Sequence, residues 1–178
     1  SIEIVQNPPV IIDTIKTNLI KIKGEENKEP VKTKNSGQQI FAENFGPYKD
    51  ESMDPASRSG NNLQPFEKFQ LYYWEGNAKN AYAVFDSLKT SDKQNDNLRF
   101  LYANVLMSLN KTQEASLILN GIIQNHKSIY SAEAKYYLAL CNIKAGKIEE
   151  AQKNLKTYLA DGDAIQISNA KKILKELD

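Results

Sequence analysis

The stretch AEAKYYLALCNIKAGKIEEAQKNLKTYL, running from Ala132 to Leu159, decides the fold class of this chain. Ala134, Tyr137, Leu138 and Cys141 recur at helical spacing, a break follows at Gly146, and Ala151, Leu155 and Leu159 resume the spacing. Apolar residues three or four apart share one face of a helix, and glycine tolerates the left-handed backbone that ends one. The stretch therefore predicts two helices joined by a tight turn, each with one buried stripe.

The same plan appears twice upstream. Leu98, Leu101, Tyr102, Val105 and Leu106 precede a break at Asn110, after which Ala115, Ile118, Leu119, Ile122 and Ile123 follow. Phe66, Phe69 and Tyr73 precede a break at Gly76, after which come Ala78, Ala81, Tyr82, Phe85 and Leu88. In this register Ala81, Ala115 and Ala151 align, separated by 115 − 81 = 34 and 151 − 115 = 36 residues. Phe85, Leu119 and Leu155 coincide as well, and Ala103 and Ala139 each lie 12 residues before the aligned alanine. Small residues are needed where two helices cross closely, and larger ones seal the flanks. Downstream, Asp163 to Asp178 carries Ile165, Ile167, Ala170, Ile173, Leu174 and Leu177 among charges, the pattern of an amphipathic helix covering the last repeat.

The first part of the chain is different in kind. Pro8, Pro9, Pro30, Pro47, Pro55 and Pro65 are its six prolines, and none follows. Proline removes a backbone donor and clashes with the preceding helical turn, so long helices are expected only after residue 65. Val10 to Ile22 mixes Val, Ile and Thr with Asp and Lys and could pair as a strand, whereas Gly24 to Gln39 is polar and turn-rich. Ile40, Phe41, Phe45 and Tyr48 form an apolar cluster ahead of the Ser-, Asp-, Pro- and Gly-containing stretch Asp50 to Asn62. The expected organisation is an extended, largely irregular arm over 1–62 with an apolar docking segment at 40–48, then helical repeats at about 63–94, 96–128 and 130–162 and a capping helix over 163–178.

Composition excludes several classes of function. Lys and Arg total 23 against 22 for Asp and Glu, so no net field attracts phosphate backbones, and a nucleic-acid partner is not expected. The 178 residues suit one well-buried core. No stretch reaches the roughly 18 consecutive apolar residues of a membrane span, so this segment is not expected to insert into a bilayer. The chain begins at Ser1 instead of Met, which leaves room for a targeting or membrane segment ahead of it. Neither the compartment nor the oligomeric state is legible from these numbers.

The period near 34 residues, the aligned alanines and the Gly/Asn breaks resemble the tetratricopeptide repeat family over residues 63 to 160. Phe69 departs from that pattern, standing where the family has a small residue. The resemblance implies an all-α fold, a right-handed α-α superhelix of about three hairpins plus the capping helix, in which the first helix of each hairpin lines a concave groove. By this resemblance Phe66, Tyr73, Trp74, Phe100, Asn104, Met107, Tyr136, Leu140 and Lys144 face the groove. Aromatic residues and Met are enriched where proteins anchor partners, and Asn104 is suited to holding a peptide backbone, so a protein or peptide partner is implied. Two occupants fit Tyr73 and Trp74 equally well: a separate partner, or the chain's own arm. Some members hold chaperone C-termini with basic residues and Asn on this face. Here Phe66, Phe100, Glu133 and Tyr137 occupy those places and only Asn104 is kept, so that activity is not expected. The segment Phe41 to Tyr48 between a polar stretch and the repeats also resembles the extracytoplasmic part of certain bacterial membrane-anchored tetratricopeptide proteins. That likeness implies an envelope or periplasmic location and a role in a membrane-associated complex.

No constellation for catalysis emerges. His126 is the sole histidine and Cys141 the sole cysteine, and Cys141 falls on a buried stripe where it acts as a small hydrophobe. One Cys and one His cannot supply the four ligands of a zinc site. Asp161, Gly162 and Asp163 begin like a calcium loop, but Ile165 and Ile167 stand where further carboxylates belong. Glu149 and Glu150 read as acidic residues at a helix N-terminus. The eight glycines are scattered, with no phosphate-binding loop, and no cofactor or metal is expected. The chain is expected to be a non-enzymatic interaction scaffold. The alternative is a regulatory module whose arm covers the groove until a signal or ligand displaces it.

Overall fold

The structure, a computed structural model, describes residues 35–49, 63–161 and 166–178. The expectations for a strand over Val10 to Ile22, for the stretch Asp50 to Asn62 and for residues 162–165 lie outside them. Every regular element among the described residues is a helix.

Helix α1, Gly37–Asn44, lies within the segment read as an irregular arm. Ser36 caps it by accepting the Gln39 N–H at 3.1 Å, and its helical stripe of Ile40, Phe41 and Asn44 is buried. Short helices are marginal by themselves, and this one forms against its neighbour. The polar Ser-Gly-Gln-Gln run that hid it in the sequence is the capped first turn, with Ser36, Gln38 and Gln39 exposed.

Three hairpins follow. α2, Pro65–Trp74, pairs with α3, Ala78–Phe85. After the short α4, Thr90–Lys93, come α5, Asp96–Ser108, and α6, Thr112–Gln124, then α7, Ser131–Lys144, and α8, Ile148–Ala160. The final helix α9, Ile167–Leu177, buries Ala170, Ile173 and Leu177 against α8.

One turn recurs in all three hairpins. Gly76, Asn110 and Gly146 have φ of 74°, 65° and 77°. The residue after each donates its N–H five residues back, Asn77 to Tyr72, Lys111 to Leu106 and Lys147 to Asn142, at 2.8–2.9 Å. The left-handed residue itself bonds to Tyr73, Met107 or Ile143 at 3.0 Å. This closes the orphan carbonyls of each first helix and reverses the chain in a few residues. Ala81, Ala103, Ala115, Ala139 and Ala151 are all fully buried, as close helix crossings require.

Phe69 keeps the register of Ala103 and Ala139, since it too lies 12 residues before its aligned alanine, Ala81. Its ring is fully buried and lies 5.9 Å from Phe85 and 6.5 Å from Tyr102. Phe85 and Tyr102 themselves stack at 3.5 Å, so an aromatic cluster joins the first hairpin to the second where the other interface uses alanine.

Candidate functional site

The inner helices α5 and α7 carry more apolar surface than a single stripe. Every residue from Phe100 to Met107 is buried, as is every residue from Tyr136 to Cys141. A helix that is apolar all round is a buried helix. Two of its sides are covered by neighbouring hairpins, and the remaining side is covered by the chain's own residues 36–49.

That segment crosses the inner helices in the reverse of chain order. α1 packs along α7, the extended residues after it pass α5, and Lys49 reaches the end of α2. Its apolar side chains enter the groove: Ile40 is fully buried, and Phe41 and Tyr48 are 7% and 8% exposed. The Tyr48 ring meets Phe100 edge-on at 5.1 Å and Tyr130 at 6.2 Å, while Phe45 stacks on Phe41 at 5.1 Å and stands edge-on to Tyr137 at 6.3 Å. Edge-to-face aromatic pairs of this kind add about 0.5–1.5 kcal/mol beyond area burial.

Groove side chains hold the segment by its backbone. The Tyr136 hydroxyl donates to the Asn44 carbonyl at 3.2 Å, the Tyr137 hydroxyl to the Gly46 carbonyl at 3.0 Å, and the Tyr73 hydroxyl to the Tyr48 carbonyl at 2.5 Å. The Tyr48 N–H donates to Asn104 Oδ1 at 3.1 Å, and Asn104 Nδ2 donates to the Phe100 carbonyl at 3.0 Å. Asn104, fully buried, is thereby satisfied on both sides of its amide. Burial raises the Tyr73 and Tyr137 hydroxyls well above the usual phenol range and pushes Tyr136 up to about 12, so they stay protonated donors.

Two lysines add cationic contacts between the segment and the inner helices. Lys144 Nζ sits 4.2 Å over the Phe41 ring and also donates to Asn110 Oδ1. Lys49 Nζ donates to the Trp74 carbonyl at 3.0 Å and lies 5.2 Å from the Trp74 ring centroid.

Of the residues expected in the groove, Tyr73, Trp74, Phe100, Asn104, Tyr136 and Lys144 contact the segment directly. Met107 and Leu140 are buried in the same inner helices. Phe66 is half-buried two turns earlier on α2 than Tyr73. Between the occupants open for Tyr73 and Trp74, the structure has the chain's own arm. Tyr130 and Gly46 were absent from the expected set, and Tyr137 was placed on this face only as a replacement for a tail-holding residue, not among the partner contacts. Tyr137 had a signal, since it follows Tyr136 on a helix with almost no polar face.

The residues weighed for chemistry are apart from this site. Cys141 is buried on α7, where desolvation pushes its thiol up to about 12. His126 is exposed in the turn after α6. Glu149 and Glu150 occupy the first turn of α8, and Asp161 accepts from Lys135 at 2.6 Å. Among the described residues there is no group of His, Cys, Asp and Glu able to hold a metal, and no helix long and apolar enough to cross a membrane.

Paired antiparallel helices, a left-handed turn at a repeated position, and alanines at the helix crossings of the second and third hairpins make a tetratricopeptide-like α-α superhelix fold. In agreement, residues 74–158 match the family model described as "Anaphase-promoting complex, cyclosome, subunit 3", a tetratricopeptide-like repeat. No curated protein and no solved structure matches the chain. Repeats of this type typically bind protein partners.

Proposed function

We propose that this chain is a non-enzymatic adaptor whose groove binds a peptide segment of a partner protein, and that residues 36–49 occupy the groove until the partner displaces them. The observation that carries this is the holding of residues 44–48 by their backbone through Tyr73, Asn104, Tyr136 and Tyr137. Main-chain hydrogen bonds from a groove, with pockets for alternate side chains, are how proteins take up peptides generally. The groove treats its own arm as a ligand.

Displacement is energetically reasonable. Burial of Ile40, Phe41 and Tyr48 is offset by the conformational entropy of ordering the segment, and the tether to the repeats keeps the segment at high effective concentration beside the groove, so a partner segment competes by mass action. Membership of a larger, membrane-associated and extracytoplasmic assembly is supported only by the resemblance of Phe41 to Tyr48 to such proteins.

The test keeps the groove intact and loosens the arm. In the full chain carrying Ile40→Asp, a labelled peptide of residues 35–49 should bind at least about tenfold more tightly than to the unaltered chain, whose own segment competes. Equal, negligible binding to both would reject the proposal.

A further inference from the structure

Gly37 opens α1 at the point where that helix lies on the last turn of α7. A Cβ built on Gly37 would overlap the Ile143 carbonyl oxygen and come within 3.0 Å of the Ile143 carbonyl carbon and 3.6 Å of Lys144 Cα. These are backbone atoms of a buried helix, and the Ile143 carbonyl is itself fixed by the Gly146 N–H at 3.0 Å. The obstacle cannot rotate away as a side chain would. At Gly46, in the extended part of the same segment, a Cβ would meet nothing within 4 Å. One glycine of the segment is thus required by the groove and the other is not.

We infer that the groove selects partner segments carrying a glycine at the first position of a short helix, bulky apolar residues three, four and eight places on, and an aromatic residue eleven places on. Those places are filled here by Gly37, Ile40, Phe41, Phe45 and Tyr48. The inference rests on the groove being a peptide site, and adds which peptides it takes. The selecting element is the main chain at Ile143 and Lys144, which excludes any side chain at the leading position while the apolar pockets set the register. Alanine there favours helix over glycine in isolation, so helix propensity and the groove make opposite predictions for the same substitution.

The experiment uses the full chain with Gly37→Ala, in which the arm is weakened and the groove unchanged, titrated with two peptides of residues 35–49, one with glycine and one with alanine at position 37. Binding is read by peptide anisotropy and by the fluorescence of Trp74, the sole tryptophan. The glycine peptide should bind at least about tenfold more tightly than the alanine peptide, with the chain monomeric by sedimentation. Equal binding of both peptides overturns the glycine rule and leaves the peptide groove standing. Binding of neither, with cooperative thermal unfolding retained, overturns the peptide groove itself. Self-association of the altered chain in place of peptide binding puts a second copy in the groove and overturns selection of a foreign partner.

Discussion

Asn104 accepts the backbone N–H of Tyr48 at 3.1 Å across a separation of 56 residues, from a position with no solvent exposure. It ties the arm to the repeats through a hydrogen bond between two buried residues. Replacing Asn104 with Ala removes the buried acceptor of the Tyr48 N–H, a loss of about 1–3 kcal/mol. Equilibrium denaturation should show that loss, and an unchanged midpoint and slope would argue that Tyr48 does not dock.

Tyr73 holds the same residue from the other side, donating to the Tyr48 carbonyl at 2.5 Å. Tyr73→Phe should cost about 1 kcal/mol alone. Combined with Asn104→Ala it should cost less than the sum of the two by about 0.5 kcal/mol or more, since either change loosens residue 48. Strict additivity in a double-mutant cycle would mean that the two contacts do not share a partner.

Alkali should loosen the arm. Tyr73, Tyr136 and Tyr137 have phenols raised by burial, and in each the protonated form is the one that donates to an arm carbonyl. A raised folded pKa gives stability that is complete below the ordinary phenol value of about 10 and is lost as pH climbs beyond it. Stability should therefore decline from about pH 10 upward, with tyrosinate absorbance and loss of structure rising together. Free ionisation of every tyrosine near pH 10 in a folded chain would contradict the burial of these hydroxyls.

Cys141 should be inert. Its thiol is buried and pushed up to about 12, with burial the main cause. The thiolate is the reactive form, so labelling at neutral pH should proceed only through opening of the repeats and accelerate with denaturant. Rapid stoichiometric labelling of the folded chain would revive a chemical role for this residue.

The turns give a further pair of expectations. Gly146→Ala places a Cβ at φ 77° and should cost about 1–2 kcal/mol. Asn110→Gly relieves the same conformation at φ 65° but gives up the contact with Lys144, and should change thermal stability by less than about 1 kcal/mol. Equal destabilisation by both would show that the left-handed turns do not set the hairpin geometry.

The repeats were legible because period, turn residues and crossing alanines agree independently, as at Ala115 and Asn110. The helical nature of Gly37–Asn44 was not, because its first turn is polar and its apolar residues number too few to show a period. The arm's position in the groove left a weaker trace. Phe100 to Met107 and Tyr136 to Cys141 offer more buried surface than two neighbouring hairpins can cover, and Tyr137 belongs to that excess. Gly37 could not be found this way, since its role is the approach of two backbones and leaves no pattern among side chains.

Amide exchange in the intact chain, resolved at Tyr48, tests the central claim most directly. Docking through Asn104 predicts strong protection of the Tyr48 N–H, approaching that of the buried amides of α5. Exchange at the rate of an unstructured peptide would place residue 48 in water and leave the inner helices without their cover.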